Sequence, residues 1–141
     1  MVVGRKREIK ILNKMLASSS SELIAVFGRR RVGKTFLIRE VYTDNFVFEL
    51  TGLHNGNQHD QLQNFHSQIK ISSKRLENSK APRGWPDAFR LLEDYLDGLK
   101  SRKKKVIFID EFPWIAWDSK NLFDKFELAK PKCAGRFAYR S

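Results

Sequence analysis

Residues Gly28-Arg29-Arg30-Arg31-Val32-Gly33-Lys34-Thr35 have the spacing Gly-x4-Gly-Lys-[Ser/Thr], the P-loop or Walker A pattern. Its chemistry is the cradling of a nucleoside triphosphate. The two glycines admit backbone conformations closed to other residues, so successive N–H groups can turn inward onto phosphate oxygens. Lys34 supplies a mobile positive charge for the β- and γ-phosphates, and the Thr35 hydroxyl is a ligand for Mg2+. A helix starting at this point adds the positive end of its dipole to the same anion. The candidate nucleotide-binding residues are therefore Gly28, Arg29, Arg30, Arg31, Val32, Gly33, Lys34 and Thr35, with Lys34 also a candidate catalytic residue. The pattern leaves the three arginine positions free. They either reach phosphate oxygens or form a solvated basic surface.

A second element carries acids. Lys105-Val106-Ile107-Phe108-Ile109-Asp110-Glu111 is an apolar run that ends on two carboxylates, as a Walker B strand does. Phosphoryl transfer needs a carboxylate at the end of a neighbouring strand to hold Mg2+ or its water shell, and Asp110 suits that task. The adjoining Glu111 is the candidate catalytic residue that orients or activates the attacking water. Phe112-Pro113-Trp114-Ile115-Ala116-Trp117 follows directly. This cluster either packs beneath a loop or stacks on a base or nucleic-acid strand.

The elements that must position these residues alternate. Ile9, Leu12, Met15 and Leu16 have helical spacing, and Ser18-Ser19-Ser20-Ser21 ends that helix. Leu23 to Phe27 reads as a strand buried on both faces, and Thr35 to Val41 as a helix that turns Leu37 and Ile38 inward. Phe46 to Leu50 is a second strand, and residues 58–70, with Leu62, Phe65 and Ile69, form a helix. Pro82, Gly84 and Pro86 mark a loop; Pro86 then fits the first turn of a helix running to about Lys100, with Phe89, Leu92, Tyr95, Leu96 and Leu99 on one face. Val106 to Ile109 is another buried strand. This alternation predicts an α/β fold, a P-loop NTPase-type parallel sheet flanked by helices.

Composition narrows the class. The 141 residues hold 41% hydrophobic and 30% charged side chains, within the globular range. No apolar run reaches half the roughly 18–20 residues of a membrane span, and no apolar stretch follows the basic N-terminus, so the expectation is a cytoplasmic protein without membrane association. Cys133, the single cysteine, forms no internal disulfide. His54, His59 and His66 lack partners at metal-ligand spacing and read as surface residues. The net charge of +11 attracts polyanions, so nucleic acid or an acidic protein surface is a possible partner through the basic patches. No guanine-selective Asn-Lys-x-Asp motif occurs, which leans towards ATP as the nucleotide.

Three segments together resemble the prokaryotic AAA-like ATPases of the archaeal ATPase type: residues Val3 to Glu8, Phe27 to Glu40, and Ile107 to Trp114. The resemblance runs from about residue 2 to residue 117. It implies an ATP-binding domain with an added strand between the Walker A and Walker B strands, using ATP and Mg2+. It also implies that Gly4 and Arg5 lie near the adenine or ribose. In the family, further elements follow the Walker B region: a helix, a strand bearing a polar sensor residue, a fifth strand and an arginine-bearing segment.

In this chain only a helix from Asn121 to Leu128 is apparent beyond Trp117. The expected organisation is therefore residues 1–128 as the N-terminal part of the ATPase domain and 129–141 as a basic tail without clear core elements. The sheet is then incomplete at its C-terminal end. Arg136 and Arg140 are present, but nothing in the sequence makes either an arginine finger. Two other readings stand beside ATP binding and hydrolysis: a basic nucleic-acid-binding module, and a remnant of a longer ATPase that no longer hydrolyses ATP.

Overall fold

In the computed structural model, which describes residues 4–20, 23–24, 33–116 and 137–138, helices and short parallel strands alternate. The order is α1 (Lys6–Ala17), β1 (Leu23–Ile24), α2 (Lys34–Tyr42), β2 (Phe46–Thr51), α3 (Gln58–Ser72), α4 (Trp85–Asp97), β3 (Val106–Asp110), α5 (Phe112–Ala116) and β4 (Phe137–Ala138). The fold is α/β, with parallel strand pairs flanked by helices. The chain divides into two compact units, residues 1–45 with 130–141, and residues 46–129.

In the first unit α1 buries Leu12 and half-buries Ile9, Met15 and Leu16, leaving Lys6, Arg7, Glu8 and Lys10 in solvent. It ends where Ser18 turns extended, with its N–H donating to the carbonyls of Lys14 and Met15. Helix α2 buries Leu37, Ile38 and Tyr42. The Tyr42 hydroxyl donates to the Leu12 carbonyl at 2.8 Å, which ties α2 to α1. Burial pushes this phenol up to about 12. Strand β1 pairs in parallel with β4, Leu23 opposite Phe137 and Ile24 opposite Ala138. Two residues of the tail that sequence alone left without core elements thus have strand conformation.

The second unit is built on β2 and β3, paired in parallel from Phe46–Val106 to Thr51–Asp110. Parallel neighbours require a long crossover, and here it carries α3 and α4. Phe48 and Leu50 alternate inward from β2 and meet Leu62, Phe65 and Ile69 of α3 and Trp85, Ala88, Leu92 and Tyr95 of α4. A register shift falls between Phe46 and Phe48, and the Tyr95 hydroxyl donates to the carbonyl of the intervening Val47. This bond gives a half-buried carbonyl beside the irregularity a side-chain donor. Helix α3 starts with a reciprocal capping box between Asn57 and Asp60, and Pro86 lies in the first turn of α4.

Two expectations are corrected. All five residues of β3 are half-buried rather than buried on both faces. Ile107 and Ile109 pack on the core, while Phe108 stacks on Phe46, ring centroids 5.7 Å apart. His66 is not a surface residue: it is 7% exposed, with Nε2 within 3.0 Å of the Ser79 carbonyl and 3.1 Å of its hydroxyl. Both partners serve the Nε2 side of the imidazole, on a helix face that also buries Gln61. His54 and His59 are exposed. The expected strand beyond Ile24 and the helix at Asn121 to Leu128 lie outside the described residues. Among the described residues, no helix is long and apolar enough to cross a membrane.

Candidate functional site

The candidate phosphate residues meet the described chain at the start of α2. Gly33 precedes the helix with φ 77° and ψ 25°, the left-handed region that L side chains avoid because Cβ crowds the following carbonyl. Among the described residues a Cβ built there would meet nothing within 4 Å, so it is the conformation that calls for glycine. The Leu37 N–H donates to the Gly33 carbonyl at 3.0 Å and opens the helical ladder. Helix geometry directs the first N–H groups of α2 out of its N-terminal end. The first turn holds no acidic residue, so the helix's own side chains do not neutralise the positive end of its dipole. Lys34 and Thr35 are half-buried beside it. Gly28, Arg29, Arg30, Arg31 and Val32 lie outside the described residues.

Gly4 and Arg5 stand at the start of α1 in the same unit. Gly4 has φ 85°, again left-handed, and Arg5 is the half-buried N-cap residue, whose side chain makes no capping bond.

In the second unit, β3 delivers Asp110 at its last position and Glu111 just beyond. Glu111 has φ 53°, an unusual conformation for a residue with a long side chain. Its N–H donates to Asp110 Oδ1 at 2.9 Å, and its carbonyl accepts from the Trp114 N–H at 3.0 Å as α5 begins. The Glu111 residue is exposed and Asp110 half-buried. Strained backbone persists only where its surroundings over-determine it, and here the surroundings are visible. The Gly52 N–H donates to the Asp110 carbonyl at 2.9 Å, continuing the β2–β3 ladder past the strand end. A Cβ on Gly52 would stand 2.5 Å from the Glu111 carbonyl oxygen and 2.9 Å from Ile115 Cγ1.

Gly52 and Gln61 are absent from the sequence-based candidates. Gln61 is 2% exposed. Its Oε1 accepts from the Leu53 N–H at 2.9 Å, and its Nε2 donates to the Leu53 carbonyl at 2.8 Å. The same Nε2 reaches the carbonyls of Gly56 and Trp114, each at 3.4 Å. A signal for Gln61 did exist: it stands four positions before Phe65 and eight before Ile69 on the inward stripe of α3, where a polar side chain must find buried partners. Described residues of the aromatic cluster make packing contacts. Phe112 is half-buried against the core, Ile115 is buried, and Trp114 meets His54 edge-on with centroids 4.1 Å apart. Trp117 lies outside the described residues.

A family model described as an ATPase domain predominantly from Archaea matches residues 2–126. An uncharacterised protein of Methanocaldococcus jannaschii is 30% identical over 128 residues, which cover 90% of this chain and 25% of the relative. The chain thus matches about a quarter of that relative's length. A protein of the same organism named as an uncharacterised ATP-binding protein is 45% identical over 40 residues, 28% of this chain and 68% of the relative. No solved structure matches. With the family model covering most of its length, the chain belongs to the ATPase domains found predominantly in Archaea.

Proposed function

We propose that this chain binds ATP through the P-loop that ends at Gly33-Lys34-Thr35 and, as part of an ATPase domain, hydrolyses it to ADP and phosphate. The observation that carries the reading is the start of α2. A left-handed glycine opens a helix with no acid in its first turn, and its next two side chains are an ammonium and a hydroxyl. That donor set suits a polyphosphate and its metal: backbone N–H groups and a lysine for phosphate oxygens, a hydroxyl for a hard cation. A relative bearing the words ATP-binding in its name supports the same nucleotide.

In this reading Lys34 holds the β- and γ-phosphates and absorbs charge as the bond from the γ-phosphorus to the bridging oxygen breaks. Glu111 orients the water and accepts its proton while the water oxygen bonds to the γ-phosphorus. By the family resemblance, Thr35 on α2 and Asp110 at the end of β3 are each candidates to hold Mg2+, which would offset phosphate charge. Gly28, Arg29, Arg30, Arg31 and Val32 complete the phosphate loop, with Gly4 and Arg5 as candidate neighbours of the base or ribose.

Thermal unfolding with and without Mg-ATP tests the binding step. At about 100 times the dissociation constant the native state gains about 2.7 kcal/mol, an upward shift of several degrees for a domain of this size. Lys34→Ala should abolish that shift. A wild-type midpoint that does not move at saturating nucleotide would refute the proposal.

A further inference from the structure

We infer that Gln61 is a positioning residue for the Glu111 carboxylate. This rests on the reading of Glu111 as the group that orients the attacking water. The geometry gives Gln61 two routes to the Glu111 turn. One is indirect: its carboxamide brackets the peptide groups of Leu53, accepting from the N–H at 2.9 Å and donating to the carbonyl at 2.8 Å. Leu53 follows Gly52, whose N–H holds the Asp110 carbonyl and whose missing side chain admits the Glu111 carbonyl. The other is direct: Nε2 reaches the carbonyl of Trp114, the residue whose N–H closes the turn onto Glu111.

Glutamine suits this position for a specific reason. One planar group offers an acceptor and two N–H donors, enough to serve the N–H and the carbonyl of one residue and a further carbonyl. Burial at 2% exposure removes competing water, so the bonds hold their geometry. An apolar side chain of the same length would fill the volume and leave the backbone of Leu53 to find other partners. Glu111, at φ 53°, has an alternative right-handed conformation of lower local energy. The anchored loop withholds it by keeping the β2 end and the first turn of α5 in place.

The test uses Gln61→Met, which keeps size and helix propensity, and Gln61→Glu, which keeps the acceptor. Asn57→Ala is the control: it weakens the start of the same helix without touching the carboxamide. Amide-resolved hydrogen exchange is read beside Mg-ATP turnover and the nucleotide-induced thermal shift. In Gln61→Met, the Gly52 and Trp114 amides should exchange at least tenfold faster while the Ala88 amide of α4 is unchanged. Its kcat should fall at least tenfold with KM and the thermal shift preserved. Gln61→Glu should fall between it and wild type, and Asn57→Ala should leave kcat intact.

Unchanged exchange at Gly52 and Trp114 would overturn the assignment. So would equal acceleration at Ala88, or a loss that appears in KM rather than kcat. If wild type binds Mg-ATP without turning it over, the hydrolytic reading fails by itself, and the exchange pattern still decides whether Gln61 holds the turn.

Discussion

Gly52 and Glu111 meet backbone to backbone, so closely that a Cβ on the glycine would lie 2.5 Å from the Glu111 carbonyl oxygen. The Gly52 N–H is meanwhile bonded to the Asp110 carbonyl at 2.9 Å. The end of β2 is therefore fixed to the turn that carries both candidate carboxylates, at a point where only glycine fits.

Gly52→Ala should force that contact apart. The neighbours are a backbone carbonyl and the side chain of buried Ile115, neither free to swing away. Overpacking of this kind costs about 1–3 kcal/mol, so the urea midpoint should fall and turnover should fall with it. An alanine variant as stable and as active as wild type would show that the turn tolerates displacement.

Gly33→Ala should act differently, because nothing among the described residues crowds a Cβ there and the φ of 77° is at issue. The left-handed penalty is roughly 1–2 kcal/mol. If the chain relieves it by rotating the peptide at the start of α2, Mg-ATP affinity should drop more than stability does. The check is a Mg-ATP titration by calorimetry set beside a denaturant curve.

Glu111 offers a separation of stability from chemistry. Both Glu111→Ala and Glu111→Gly remove the carboxylate, but only glycine accepts φ 53° without strain. Glu111→Gly should therefore be more stable than Glu111→Ala by about 1 kcal/mol. Both should retain the Mg-ATP thermal shift and lose turnover by about 10²–10⁴-fold. Paired unfolding and phosphate-release assays distinguish these effects.

Tyr42 gives the first unit a sensitivity to alkali. Its phenol is raised from 10.0 to about 12 by burial, so the folded state holds the proton more tightly than the unfolded chain. The stabilisation is complete below pH 10 and is lost as pH rises from there through about 12. Tyr42→Phe lacks the bond to the Leu12 carbonyl and should be less stable at pH 8 by about 1 kcal/mol. The gap should narrow steadily above pH 10. A gap that stays constant with pH would mean the phenol does not titrate differently on folding.

Much of the fold was legible because local periodicity and packing agree. Leu62, Phe65 and Ile69 at helical spacing predicted an inward face, and all three are buried in α3. The alternation of strands and helices predicted parallel pairing, and β2–β3 is parallel. Trp85 and Ala88 carry little sequence signal although both are buried in α4: one precedes Pro86, which marks the helix start, and the other is too small to stand out as an apolar anchor. His66 misled because a buried imidazole depends on acceptors thirteen positions away, which no local pattern announces.

The same division runs through the candidate site. The candidate residues Lys34, Thr35, Asp110 and Glu111 are readable from sequence, because short motifs list donors and acids in the order a phosphate and its metal require. Gly33 was readable too, since the motif demands a glycine there. The family followed from those motifs, and the match over residues 2–126 agrees. Gly52 and Gln61 were not readable in their roles. One matters through an atom it lacks, beside a carbonyl fifty-nine positions away, and the other through peptide groups that only the folded chain brings within reach. Motif chemistry is local and survives in sequence; the restraint that aims it comes from non-local backbone contacts, which exist only once the chain has packed.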